Sequence, residues 1–182
     1  GLNPILSERR IGLRVVLTLP RADRALGRRT GGAEGFCMSD RLQDGCIFCM
    51  IIKGEIPSFT IYEDDATKAF MDINPLTPGH ALVIPKFHTP NIYEAPADSL
   101  GQVMTTVGKV SRAVDRVIAP EGINILQANG AGAGQSVFHI HFHVIPRAAD
   151  DGFTMNWPQV PGNMDDIGKL AEILRADIAQ YA

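Results

Sequence analysis

The chain has 182 residues, 45% of them hydrophobic and 20% charged, which predicts one domain of ordinary size with a real core. Its formal charge of −3 is unevenly spread: residues 1–37 hold seven arginines against three acids, a net of +4, which leaves −7 for the remainder. An acidic body argues against a nucleic-acid-binding surface, the lack of an apolar run of about 18 residues argues against a membrane span, and three cysteines are too few for a disulfide framework.

Residues 1–37 read as a flexible N-terminal extension, with residues 38–182 as the folded domain. The segment carries Pro4, Pro20, scattered arginines and Gly31-Gly32 without a sustained period, and Met38 offers an alternative start. Ile11 to Leu19 is apolar but broken by Arg14 and lacks a small-residue cleavage site, which argues against a secretory signal; an Arg-rich presequence would carry more serine. From Asp44 the pattern sharpens. Cys46 to Lys53 predicts a short helical turn closed by Gly54, with Pro57 as a stop. Phe59 to Glu63 alternates as a strand, Asp64-Asp65 turns the chain, and Thr67 to Ile73 forms a second strand running into Asp72-Ile73-Asn74-Pro75. His80 to Pro85 is a third strand, apolar enough to be central. Pro96 to Ala119 is the main helix: Leu100, Val103, Val107, Val110, Val114 and Val117-Ile118 recur at three- and four-residue spacing. Ile123 to Ala128 is a fourth strand, and Asp165 to Tyr181 reads as a closing amphipathic helix. Strands that cluster instead of alternating with helices predict an α+β fold built on an antiparallel sheet.

The most informative stretch is Asn129 to Arg147. His139, His141 and His143 alternate with Ile140, Phe142 and Val144, the pattern of a fifth strand with one apolar face and one imidazole face. Three of the chain's five histidines sit here, behind a loop containing Gly130, Gly132 and Gly134 and ending in Gln135-Ser136. Glycines let backbone N–H groups turn toward an anion. A regular strand cannot bring all three rings to one metal, because same-face residues step by about 6.6 Å and a metal–nitrogen bond is only about 2.1 Å. Two neighbours, His139 and His141, can share a catalytic zinc. The row can otherwise be an exposed polar face, or a catalytic one in which an imidazole attacks and its neighbours orient or donate protons. Separately, Cys46-Ile-Phe-Cys49 lacks the thioredoxin-like context of a redox pair and reads better as half of a zinc site in a reducing compartment, the cytoplasm; no redox cofactor is expected.

The run from Gln135 to Ile145 resembles the histidine triad (HIT) signature, His-x-His-x-His followed by two apolar residues. The resemblance covers about residues 44 to 157, and Val144-Ile-Pro-Arg147 with Asp150-Asp-Gly-Phe and Trp157 looks like the zinc-containing bacterial members of the phosphoramidase-like branch. It implies a five-stranded antiparallel sheet, with a main helix and a C-terminal helix, extended across a homodimer. It implies that His141 is the nucleophile, forming a nucleotidyl-histidine, with His143 and the remote His80 beside it and Ser136 on the phosphate or leaving group. Gln135, Gly134 and Asn129 would also face the phosphates, Asp72 would hold the ribose, and Phe70 and Ile73 would line the base pocket. Cys46, Cys49, His88 and His139 would bind a structural zinc; Trp157 would sit near a partner's pocket.

Each residue also has a plain structural reading. Ser136 can be a turn hydroxyl, Asp72 a turn-forming carboxylate, His80 a satisfied strand-end histidine, Phe70 and Ile73 shared between core and pocket, and the cysteines buried thiols beside a solvated His88. The loop Asn129–Gly134 is one residue shorter than in the eukaryotic phosphoramidase branch, which leaves open which amide meets which oxygen. The expected function is hydrolysis of a purine nucleoside phosphoramidate-like conjugate. Dinucleoside polyphosphate hydrolysis and a nucleotide-binding scaffold with incidental turnover are the alternatives.

Overall fold

A computed structural model describes residues 42–155 and 160–180. The N-terminal extension expected over residues 1–37 and the tryptophan at position 157 lie outside the described residues.

Helix α1 (Ile47–Lys53) starts directly after Cys46 and is closed by Gly54 at φ 79°, whose N–H caps the carbonyls of Met50 and Ile51. Strands β1 (Thr60–Glu63) and β2 (Thr67–Met71) form a hairpin. Its turn is fixed by Asp64, which accepts from the amides of Ala66 and Thr67 at 3.0 and 2.7 Å. After β3 (Ala81–Pro85) come the long helix α2 (Ala97–Ile118), β4 (Gly122–Leu126), a 3₁₀ turn at Ala131–Ala133, β5 (Phe142–Arg147) and α3 (Met164–Ile178). The sheet runs β1-β2-β3-β5-β4, and every neighbouring pair is antiparallel. The expected α+β class and five-stranded sheet are therefore present.

Strand alternation gives the sheet two faces. Ala69, Ala81, Val83, Phe142 and Val144 pack against Val103, Val107, Val110 and Val114 of α2. Phe70, Leu82 and Ile84 point the other way and pack against Phe48 and Ile51 of α1. This second side is lightly covered, by a seven-residue helix, and leaves a pocket beside α1.

Three expectations change. The ladder of the fifth strand begins at Phe142, so His139 lies in a bend ahead of it and His141 in the irregular stretch between; there the amide of Ile140 bonds the carbonyl of Thr89, a loop residue, at 2.7 Å. His139 is wholly buried and His141 is 5% exposed, so the expected open face of three imidazoles does not form. The buried stripe of α2 ends at Val114: Val117 is 84% exposed and Ile118 turns over Gly79. Helix α3 forms as expected, with Asn163 capping the amides of Asp165 and Asp166, but it does not close the fold. All of its residues are exposed, and its apolar stripe of Ile167, Leu170, Leu174 and Ile178 finds no cover within this chain among the described residues.

Candidate functional site

Two clusters form on the α1 side of the sheet. The first joins α1, the segment after β3 and the segment before β5. Cys49 Sγ lies 3.5 Å from both His88 Nδ1 and His139 Nδ1, and Cys46 Sγ lies 3.7 Å from His139 Nδ1. All four donor atoms fall within 4.8 Å of one another. In a tetrahedral zinc site, bonds of about 2.3 Å to sulfur and about 2.05 Å to nitrogen put neighbouring S and N donors about 3.6 Å apart. The observed spacings match that edge, so the donor set fits zinc in both chemistry and geometry.

The tautomer of His139 fits as well. A carbonyl can only accept, so the 3.0 Å contact from His139 Nε2 to Pro85 O is an N–H donation, and Nδ1 presents its lone pair to the thiols. Burial pushes the Cys49 thiol up to about 11 and drives His139 down to about 4. Without a cation both groups are thus neutral. The cysteines are free thiols, with no disulfide between them.

The second cluster lines the adjoining pocket. His141 is 5% exposed, and its Nδ1–H donates to the carbonyl of His139 at 2.7 Å, leaving the lone pair on Nε2. His143 is ordered through a relay. The amide of Leu76 donates to His80 Nδ1 at 3.1 Å, so the hydrogen of neutral His80 resides on Nε2, 2.8 Å from His143 Nδ1. His143 must accept there, and its own hydrogen sits on Nε2. Burial is the first cause lowering the pKa of all three rings. Asp72 opposes the shift in each, with Oδ2 lying 3.7 Å from His80 Nε2. In His143, drawn down to about 4, the neighbouring His141 and His80 add to the effect. Asp72, His80 and His143 are also close enough to hold a cation. The Leu76 amide already fills one lone pair of His80, however, and the other nitrogen carries hydrogen, so the trio is a relay and not a metal site.

The remaining expected residues fall in different places. Asp72, Ser136, His141 and His143 line one pocket together with Phe70 and Ile73. Phe70 belongs to the core behind it, whereas Ile73 is 75% exposed at the mouth. One Asp72 oxygen accepts from the amide of Asn74 at 2.8 Å, so the turn-forming role holds part of the carboxylate. His80 stands behind His143, buried. The glycine loop is closed on itself: the amides of Gly130, Ala133, Gly134 and Gln135 all donate within it. The amide of Asn129 pairs with that of Gln127 and accepts from Ile92 N–H, and the amide of Gln135 is buried. Of the loop's expected phosphate contacts, Ser136 is the one on the pocket wall. A catalytic zinc shared by His139 and His141 has no geometric support, since the two rings serve different clusters.

The sequence did not single out Phe48. Its ring meets Phe70, His139 and His141 edge-on at centroid distances of 5.7, 5.8 and 5.2 Å, so it is a wedge common to the pocket, the thiol cluster and the histidine row. The only available signal was its position between the two cysteines. Nothing in the sequence pointed to the backbone partners Pro85 O, Leu76 N and Thr89 O.

With this geometry in view, comparison with known proteins is specific. A family model described as HIT domain matches residues 53–150. An adenosine 5′-monophosphoramidase of Candida albicans is 41% identical over 140 residues, 74% of this chain and 92% of its own length. The crystal structure of a HIT family member from Bacillus subtilis superposes with a TM-score of 0.70 at 42% identity, covering 73% of this chain and 96% of that one. A zinc-bound histidine triad family protein from Mycobacterium smegmatis superposes with a TM-score of 0.58 at 32% identity, covering 76% and 98%.

Proposed function

Because this chain belongs to the histidine triad family, we propose that it is a nucleotide hydrolase acting on a purine nucleoside phosphoramidate-like conjugate. His141 Nε2 attacks the α-phosphorus and a nucleotidyl-histidine forms. The bond from phosphorus to the leaving nitrogen breaks, and that nitrogen takes up a proton. Water then displaces Nε2 and the nucleoside monophosphate departs. His143 Nε2–H donates to a phosphoryl oxygen or the leaving group, held in place by His80, and the Ser136 hydroxyl adds a second donor where charge builds up. Asp72 receives the ribose hydroxyls through its unshared lone pairs. The observation that carries this reading is the 2.7 Å bond from His141 Nδ1–H to His139 O, which assigns the reactive lone pair to Nε2.

Cys46, Cys49, His88 and His139 would hold a zinc ion, which when bound supplies a closed tetrahedral staple with no position left for water. Two free thiols facing imidazoles suit a reducing, cytoplasmic setting. No described helix is long and apolar enough to cross a membrane. A homodimer that extends the sheet through the free edge of β4 is consistent with the 39% exposure of Ile125 on that edge strand. In the same reading, residues 38–182 form the nucleotide-binding unit and residues 1–37 an extension.

Electrostatics favours the phosphoramidate over the dinucleoside polyphosphate. Among the residues lining the pocket there is no Lys or Arg, and Asp72 is the one carboxylate, so a polyphosphate chain would meet no compensating cation. The test is turnover of an adenosine phosphoramidate against a diadenosine polyphosphate, with mass spectrometry of quenched protein. A nucleotide adduct on His141, faster phosphoramidate turnover and loss of both adduct and activity in His141→Ala, on the order of a thousandfold or more, are expected. An active, adduct-free His141→Ala protein would refute His141 as the nucleophile, and an unsubstituted protein that binds nucleotide without turnover or adduct would leave only a binding role.

A further inference from the structure

Gln135 is 4% exposed, and both ends of its side-chain amide are committed. Its Oε1 accepts from Gly130 N–H at 2.7 Å, while Nε2 donates to the carbonyls of Pro90 at 2.6 Å and Val137 at 3.0 Å. These three partners lie on different pieces of chain: the start of the glycine loop, the segment between β3 and α2, and the residue just past Ser136. That β3–α2 segment also carries His88, and its Thr89 carbonyl holds the amide of Ile140 between His139 and His141. One buried amide thus ties the phosphate-facing end of the loop to the strip of backbone that supports the histidine row. The family resemblance implied that this side chain meets the phosphate, but an amide whose two hydrogens are both donated to backbone carbonyls has none left to offer a phosphate oxygen.

We propose that Gln135 is a positioning residue: it clamps the loop so that Ser136 is held against the α-phosphoryl group, without touching that group itself. The proposal rests on the hydrolase reading of the site. Its consequence is a transition-state effect, since a loosened loop still admits nucleotide but presents the Ser136 donor over a spread of positions.

Gln135→Met tests it by keeping the side chain's length and burial while removing all three bonds. Gln135→Glu keeps the acceptor for Gly130 N–H but turns a carboxylate toward two carbonyl oxygens. Hydrogen exchange of the amides of residues 130, 133, 134 and 135, which is independent of any substrate, should be at least about tenfold faster in both variants at temperatures where both remain folded. With an adenosine phosphoramidate, kcat should fall roughly tenfold to a hundredfold, while KM stays within about threefold. For Gln135→Glu, kcat should recover as pH is lowered and the carboxyl regains a donor. Unchanged exchange in Gln135→Met would overturn the clamp. Faster exchange with unchanged kcat, or a loss confined to KM, would overturn the positioning role. Should the unsubstituted protein itself bind no nucleoside monophosphate and turn over no phosphoramidate, the hydrolase reading fails and takes the positioning role with it, whereas the exchange result still decides the clamp.

Discussion

Removing the zinc proposed for the Cys46, Cys49, His88 and His139 cluster should loosen the fold without disarming the nucleophile directly. The size of the effect follows from the chain. The Cys49–His139 contact that zinc would bridge joins residues 90 apart in sequence, and the Cys46–His139 contact spans 93. A cross-link closing a loop of that length withdraws roughly 4–5 kcal/mol of chain entropy from the unfolded state. For a folded unit of this size each kcal/mol moves the melting temperature by about 3–5 °C, so metal loss should lower it by roughly 15 °C. Helix α1 should suffer first, because besides the thiols only Phe48 and Ile51 anchor it as buried apolar side chains. The assay is calorimetry of protein of measured zinc content, before and after treatment with a chelator, with hydrogen exchange of residues 47–53 as the local readout. An unchanged melting temperature after verified metal loss would refute the staple. Instant loss of turnover with the melting temperature intact would point instead to a catalytic metal, which the orientation of the two imidazoles argues against.

Acid should weaken both fold and turnover in one window. His143 has its pKa lowered to about 4 against an ordinary value of 6.5, chiefly by burial, with His141 and His80 adding to the shift. The unfolded chain therefore takes up this proton first as pH falls. Stability is fully present above about 6.5 and declines toward 4, by about 1–2 kcal/mol once the partial exposure of the ring is allowed for. Denaturant midpoints measured from pH 7.5 to 4.5 should fall, and kcat/KM should hold down to a pKa below 6.5. A basic limb near neutrality, or midpoints rising toward acid, would contradict neutral imidazoles. Phe48→Ala should cost about 3–5 kcal/mol as a buried aromatic removed, read as a shift in urea midpoint, and should also lower kcat because His141 loses its edge-on neighbour. A loss below about 1 kcal/mol would mean that α1 does not wedge the site.

The fold was legible wherever one periodicity dominated. The valine stripe of α2, the alternating β1, the continuously apolar β3 and the turn at Asp64 each follow from local pattern, and the histidine motif brought in the topology. The misreadings share a cause, which is that period says which face a residue is on but not what covers that face. Val117 and Ile118 keep the helical spacing, yet Val117 is solvent-facing. The stripe of α3 is as regular, and none of the described residues covers it. In the site, the residue types were visible but their partners were not. The family resemblance implied that Asn129 and Gln135 are ligand-binding amides. Their actual partners, Ile92 N, Pro90 O and Gly130 N, are backbone atoms whose approach no spacing rule encodes.

The same point explains how one chemical group takes three roles along a single run of sequence. His139, His141 and His143 carry identical rings, and burial keeps all of them neutral, so neither side-chain identity nor charge distinguishes them. What differs is the backbone or ring atom that each meets. A carbonyl at Nε2 turns His139 toward the thiols through Nδ1, and a carbonyl at Nδ1 leaves His141 its Nε2 lone pair. A donor at Nδ1, itself fixed by the Leu76 amide, turns His143 into an Nε2–H donor. Because the first of these carbonyls belongs to Pro85 of β3 and the second to His139 itself, the roles are written in the relative placement of β3 and the segment before β5. A substitution that carries that segment out of hydrogen-bond range of β3 would scramble donors and acceptors with every histidine still in place.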